Sequence, residues 1–348
     1  MRPLDGVTVV SFEQAIAAPF ASRHLAEAGA RVIKVERPGE GDFARAYDAR
    51  TNGMCSHFVW VNRSKESLTL DIKHARAAEV LTRLLERADV VIQNLAPGAA
   101  ARSGLGASAL RERFPRLIVC NISGYGEDGP YRDKKAYDLL IQAEAGVLSV
   151  SGTPEAPAKA GIPVADIAAG SYAYSSILNA LILRGRTGRG STIDVSMLES
   201  LAEWMGFPIY YTYGGAAPPP RAGASHATIY PYGPFQAGDG GTVVLGLQNE
   251  REWAIFCAAV LGQPQLATDE RFNGALKRSD RRAELKALIE QTFASMTAAQ
   301  VIERLDTAKI GSARMNAPEA LWSHPQLAAR DHWVTVDSPR GPLTNLRP

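Results

Sequence analysis

Asp166 stands in the stretch Pro163-Val164-Ala165-Asp166-Ile167-Ala168-Ala169-Gly170-Ser171, one acid among small and apolar residues where a long apolar helix begins. A carboxylate placed there can serve as a nucleophile, and backbone N–H groups at the helix start can hold its charge. Aspartate is also a preferred helix cap, which accepts backbone N–H bonds and does nothing further. Spacing alone leaves both readings open.

Other chemistries lack their residues. The first strand-to-helix turn reads Phe12-Glu13-Gln14-Ala15-Ile16-Ala17-Ala18-Pro19 and carries no glycine-rich phosphate loop of the dinucleotide or Walker type. Histidines at 24, 57, 74, 226, 324 and 332 offer no i, i+4 pair, so no metal site is expected. Ser171, in Ala169-Gly170-Ser171-Tyr172-Ala173, lacks the second glycine of a nucleophile elbow. Cys55, Cys120 and Cys257 form no C-x-x-C pair, which argues against zinc and against a disulfide framework and fits a reducing cytoplasm. Four cations, Arg37, Lys73, Arg102 and Lys135, end strands or begin helices in the expected pattern, where phosphates are held. Each one singly reads as solvated surface charge.

These residues need a scaffold, and the first half supplies an alternating one. Short β-branched runs at 6–12, 31–36, 67–72, 89–95 and 117–123 alternate with amphipathic stretches, which predicts an α/β fold built on a doubly wound, Rossmann-like parallel sheet. Ligands on such sheets lie beyond the carboxyl ends of the strands, so Glu36-Arg37, Asn94-Leu95-Ala96 and Ser123-Gly124-Tyr125 all end at the expected rim. A helix over about 166–183, a strand through Ser191-Thr192-Ile193-Asp194-Val195 and a second long helix to about Tyr211 complete a large domain, residues 1–213. Residues 214–220, Gly-Gly-Ala-Ala-Pro-Pro-Pro, read as a linker, 221–337 as a smaller α+β domain with a strand at 242–247, and 338–348 as a linker-like end.

Composition sets the outer bounds. The 348 residues are 46% hydrophobic and 21% charged, the range of a folded globular chain. A net charge of +2, from 38 basic and 36 acidic side chains, makes no field that collects nucleic acid or membrane. The expected location is the cytoplasm, since the N-terminus shows no signal peptide and no long apolar run follows.

A set of short motifs, in order along nearly the whole chain, resembles the family III coenzyme A transferases. They are Pro3-Leu4-Asp5-Gly6-Val7, Gly29-Ala30-Arg31-Val32-Ile33-Lys34-Val35-Glu36-Arg37-Pro38-Gly39 with Gly41-Asp42, and Asn62-Arg63-Ser64-Lys65. Asn94-Leu95-Ala96-Pro97-Gly98, Gly124-Tyr125-Gly126 with Gly129-Pro130-Tyr131, and Pro163-Val164-Ala165-Asp166 follow. The resemblance implies that Asp166 is the nucleophile and that coenzyme A lies across Ile16, Ala17, Arg37, Leu70, Asp71, Ile72, Lys73, Asn94, Leu95, Ala96, Arg102, Lys135, Ala136, Tyr137 and Asp138. It implies an acyl-CoA and a small carboxylic acid as substrates, a CoA thioester as the only cofactor-like group, no metal, and a homodimer of interlinked chains.

The same resemblance admits a rival, the α-methylacyl-CoA racemases, which share the fold and place a histidine before the aspartate matching Asp138. Here that position is Tyr137, a poor proton acceptor with an ordinary pKa of about 10, so the transferase is favoured. A non-catalytic acyl-CoA-binding protein is the third reading, and retention of Asp166 argues against it. The segment Arg221-Ala222-Gly223-Ala224-Ser225-His226 lacks the glycine-rich loop of oxalate-type transferases and is similar to branches acting on itaconate, mesaconate or citramalate. In that branch His226 is a candidate for a distal carboxylate. Relatives usually run some tens of residues further, so a C-terminal segment of the family is expected beyond the stretch read here.

Overall fold

The computed structural model describes residues 1–347. In chain order the first 211 residues form β1 (Thr8–Phe12), α1 (Ala17–Glu27), β2 (Arg31–Glu36), α2 (Ser56–Asn62), β3 (Glu66–Thr69), α3 (Ala77–Leu85), β4 (Val90–Gln93) and α4 (Ala99–Arg102). They continue with α5 (Ala107–Arg113), β5 (Ile118–Ser123), α6 (Asp138–Glu144), α7 (Val147–Val150), α8 (Val164–Thr187), β6 (Thr192–Ser196), α9 (Met197–Trp204) and α10 (Gly206–Tyr211).

The strand sequences explain the sheet. Val9, Val10, Val90, Val91, Ile92, Ile118, Val119 and Cys120 have no exposure, so the central strands are covered on both faces, as parallel strands between helical layers must be. The six strands lie in the order β3-β2-β1-β4-β5-β6, every neighbouring pair parallel. This is the doubly wound arrangement expected from the sequence. The strand order reverses between β1 and β4, and the crevice beyond their carboxyl ends is where such sheets take ligands.

Two helical layers fill the faces. On one, Leu81, Leu85, Leu105 and Leu110 pack over Val10, Val91 and Val119. On the other, α8 lies along α1, with Ala165, Ala168, Ala169, Ala173 and Ile177 buried on the former and Ala17, Ala18, Ala21 and Leu25 on the latter. Small residues set this close approach. A Cβ built at Gly170 would stand 2.7 Å from the Ala17 carbonyl oxygen and 2.9 Å from Phe20 Cδ1, so α1 sits where only glycine leaves room. Helix α8 ends at Gly188, whose left-handed φ of 72° lets its N–H cap the Arg184 carbonyl.

Compact units divide the chain: Met1–Leu148 with Lys159–Tyr210 and His332–Pro348, and Ser149–Ala158 with Tyr211–Asp331. The second is an antiparallel sheet of β7 (Tyr232–Gln236), β8 (Thr242–Gly246) and β9 (Gly311–Arg314), packed by α11 (Glu250–Ile255), α12 (Ala275–Asp280), α13 (Arg282–Phe293) and α14 (Ala298–Thr307). Its core joins Phe235, Val243 and Leu245 to Trp253, Phe256, Phe272 and Phe293.

Domain boundaries differ from the sequence expectation in three places, the first being residues 211–220, expected as large-domain end and linker but part of the smaller unit. Residues 149–158 belong to the smaller unit because Arg221 donates to the Thr153 and Pro154 carbonyls at 2.8 and 2.9 Å and Gly223 N–H donates to Gly152 at 2.8 Å. Residues 332–348 return to the larger unit, so the expected linker at 338–348 and the small-domain end at 337 do not hold. Strands β10 (Trp333–Val336) and β11 (Leu343–Leu346) form an antiparallel hairpin, and Arg63 donates to the Leu346 carbonyl at 3.0 Å. The Pro and Gly residues read as linker are its turn.

Candidate active site

A cavity of about 870 Å³ opens in the larger unit at the crevice between β1 and β4. Its wall is made by the turn Gln14–Ala17 after β1, the segment Asn94–Gly98 after β4, the loop after β5, the segment Lys135–Leu139 leading into α6, and Asp166 on α8. Each piece is positioned by an identifiable contact. Asn94 pins the first turn to the second by accepting from Gln14 N–H and donating to the Gln14 carbonyl, both at 2.9 Å. Gly124 lets Ala136 close against the end of β5, since a Cβ there would stand 2.2 Å from Ala136 Cβ.

Asp166 is not the cap of its helix. Pro163 holds that position without a side-chain bond, and Asp166 sits within the first turn. The capping work is done from another element: Asp138, at the start of α6, accepts the Ala165 N–H at 2.9 Å on one oxygen and Gln142 Nε2 at 2.7 Å on the other. Asp166 is thereby free for chemistry, with its acidity strongly perturbed. Its carboxyl is pushed up to about 7, by burial first and by the neighbouring Asp138 charge second, against a hydrogen bond from the Ala17 backbone N–H. A buried carboxylate with a strongly raised pKa in a cleft is a functional-site signature.

The sequence-named residues separate into three groups. Ile16, Ala17, Asn94, Leu95, Ala96, Lys135, Ala136, Tyr137, Asp138 and Asp166 line the one cavity together. Arg37, Leu70 and Ile72 line a smaller hollow of about 60 Å³ that shares Gln14 and Leu95 with it. Asp71, Lys73 and Arg102 are exposed and line neither. His226 lies in the smaller unit, stacked on Tyr232 at 5.3 Å, with Nδ1 accepting from Thr228 and Ile229 N–H at 3.2 and 3.0 Å. That nitrogen is committed to shaping its own loop.

Sequence reasoning passed over Tyr47, His57, Arg132 and Lys159, which also line the cavity. The Tyr47 hydroxyl is pushed above the usual phenol range by burial first and then by the Asp42 and Asp166 carboxylates, which places it in the electrostatic reach of Asp166. His57 packs edge-on to Tyr47 at 5.8 Å. Neither stands in a periodic pattern that would have pointed to it. Arg132, Lys135 and Lys159 give the cavity a cationic rim, suited to phosphate or carboxylate.

Comparison with known proteins gives this geometry its context. The model of CoA-transferase family III matches residues 4–348. The chain belongs to that family. An acyl-CoA transferase of Fusarium pseudograminearum is 36% identical over 96% of this chain and 75% of its own length. The succinate–glutarate CoA-transferase of Agrobacterium fabrum is 33% identical over 97% of this chain and 86% of its own. Among solved structures, a CaiB/BaiF family protein from Brucella suis superposes with a TM-score of 0.88 at 32% identity, covering 100% of this chain and 92% of that one. The protein is therefore a CoA-transferase, acting on CoA thioesters. Among the described residues no helix is long and apolar enough to cross a membrane.

Proposed function

We propose that this CoA-transferase moves coenzyme A from succinyl-CoA, or a related dicarboxylyl-CoA, to a second small acid such as itaconate, mesaconate or citramalate, through covalent intermediates on Asp166. The observation that carries the reading is the position of Asp166: buried in the cavity wall, uncommitted to capping, and held by the Ala17 N–H. The name of the Agrobacterium relative supports a dicarboxylate as substrate.

The steps follow from carboxylate chemistry. An Asp166 oxygen attacks the thioester carbonyl, the C–S bond breaks, and CoA leaves as a thiolate, an acceptable leaving group because thiols ionise near pH about 8.5. The product is a mixed anhydride between Asp166 and the donor acid. The thiolate then attacks the aspartyl carbonyl, releasing the donor carboxylate and leaving an Asp166–CoA thioester. The acceptor carboxylate attacks that thioester, forms a new anhydride and frees the thiolate again. Attack of the thiolate on the acceptor's carbonyl yields the new CoA thioester and restores the Asp166 carboxylate. Bonds broken and formed balance throughout, so the thioester's free energy is conserved.

Leu95, Ala96 and Pro97 offer the apolar wall, and Lys135 and Lys159 the charges that would meet the CoA phosphates or a second carboxylate. The chain acts as a homodimer in this reading, supported by Trp204, Phe207 and Tyr210, large side chains left exposed on α9 and α10.

A coupled assay of succinyl-CoA with itaconate, mesaconate, citramalate and glutarate, each product thioester followed by mass, tests the function. Acceptor-dependent thioester formation should fall by more than ~10³-fold in Asp166→Ala. Undiminished transfer in that variant would remove Asp166 from the mechanism; no transfer, with solvent deuterium entering the α-position of a branched acyl-CoA, would make the protein a racemase.

A further inference from the structure

The motif Lys34…Asp42 with Asn62 and Lys65 forms a buried cluster that the catalytic reading leaves unused. Lys34 and Asp42 are 1% and 2% exposed, far below what unpaired charges tolerate. Lys34 Nζ donates to Asp42 Oδ2 at 2.6 Å and to Asn62 Oδ1 at 2.9 Å. Lys65 Nζ donates to Glu13 Oε1 at 2.6 Å, to the Pro19 carbonyl at 2.9 Å and to Asn62 at 3.1 Å. Ser11 and Ser22 hydroxyls complete the Glu13 carboxylate at 2.5 and 2.6 Å. Two acids face two ammonium groups, so the cluster is internally neutral.

Glu13 belongs to that first turn by sequence, and Asp42 reaches across to hold its bend at Ala15. The second oxygen of Asp42, Oδ1, accepts the Ala15 N–H at 3.1 Å and the Ala44 N–H at 2.9 Å. Ala15 has a φ of 61°, the left-handed region that a Cβ disfavours, so this turn needs anchors to persist. Asp42 anchors it from one side and Asn94, through both backbone groups of Gln14, from the other. Two residues further on, Ala17 lines the same cavity as Asp166, and its backbone N–H is the group that lowers the Asp166 pKa.

We propose that Asp42 is a positioning residue: locked by Lys34, it holds the left-handed bend at Ala15 and thereby sets the Ala17 N–H against the Asp166 carboxylate. Lys34 acts through Asp42, fixing its orientation without touching the site. The consequence is a specific kind of defect. When the bend relaxes, the N–H is withdrawn, the Asp166 anion loses its donor, and Asp166 becomes harder to ionise. This rests on Asp166 being the nucleophile.

The test measures formation of the enzyme–CoA adduct from succinyl-CoA against pH in single turnover, together with the steady-state kcat and KM. In Asp42→Ala the acid limb should move upward by half a pH unit or more and kcat at pH 7 should fall at least twofold, while KM for succinyl-CoA stays within twofold. Adding Ala15→Gly to Asp42→Ala frees the left-handed bend of its steric cost and should return the limb most of the way, which general loosening of the core would not allow. Asn94→Ala removes the opposite anchor with every buried charge intact, so it reads the same effect should Asp42→Ala fail to fold; its limb should also move upward. A limb unmoved in Asp42→Ala, or in Asn94→Ala where the former does not fold, overturns the proposal. No adduct in the wild-type protein overturns the nucleophile assignment instead, and the two failures are told apart by that control.

Discussion

Asp166 titrates where the enzyme would work, and that follows from its neighbours. Its pKa stands raised at about 7, by burial first and the Asp138 carboxylate second, with the Ala17 N–H limiting the rise. The reacting form is the anion, so the rate should fall about tenfold per pH unit below that value and level off above it. Asp138→Asn removes the like charge while keeping an oxygen for the Ala165 N–H. It should move the acid limb downward by up to about one unit, so the variant keeps more of its plateau rate at pH 6 than the parent does. A pre-steady-state pH profile of both proteins decides it, and a limb that moves upward would show Asp138 to be chiefly a structural cap. The sequence indicated Asp166 through the motif that contains it and Asp138 through what the family resemblance implies. It did not indicate that Asp138 caps the helix of Asp166, because the two are joined only when α6 and α8 pack together. Tyr47 and His57 were illegible for a similar reason: one precedes α2 and the other sits in its first turn, and their relation to Asp166 exists only in three dimensions.

Helices α1 and α8 are the elements that set Asp166, the proposed nucleophile, beside Ala17. Their approach depends on Gly170, where a Cβ would strike the carbonyl of Ala17, the residue that also donates to Asp166. Gly170→Ala must therefore push the start of α1 away from α8. Overpacking of this kind costs about 1–3 kcal/mol, read as a lower urea midpoint. It should also slow adduct formation by ~10-fold or more, since ångström-scale misplacement of reacting groups is expensive. A variant as stable and as active as its parent would show that the contact yields freely. Element types were largely legible in sequence, because alternating β-branched runs and amphipathic stretches translate directly into parallel strands and covering helices. Strands β7, β9, β10 and β11 were not, for the opposite reason. Tyr232–Gln236 carries a glycine and a proline, and Gly311–Arg314 is polar, so neither shows the period of a strand and both are made strands by pairing with β8.

The molecule as a whole distributes its work between a sheet-based unit that holds the whole cavity and a smaller α+β unit with its own aromatic core. The division is not sequential, since residues 149–158 and 332–348 each cross to the other unit, and no compositional boundary marks those crossings. The proposed homodimer belongs to this scale. Exposed Trp204, Phe207 and Tyr210 predict a species of twice the monomer mass in sedimentation at micromolar concentration, and Trp204→Glu with Tyr210→Glu should weaken it. A monomer in the parent protein would contradict the reading.

The proposed mechanism requires coenzyme A to become covalently attached to Asp166. Incubating the protein with succinyl-CoA in the absence of acceptor, reducing with borohydride and mapping peptides by mass tests it directly. A CoA adduct on the intact protein before reduction, conversion of the Asp166 side chain to its alcohol afterwards, and neither in Asp166→Ala are expected. Rapid CoA transfer with no adduct on this peptide, or with the adduct on another carboxylate, would contradict it.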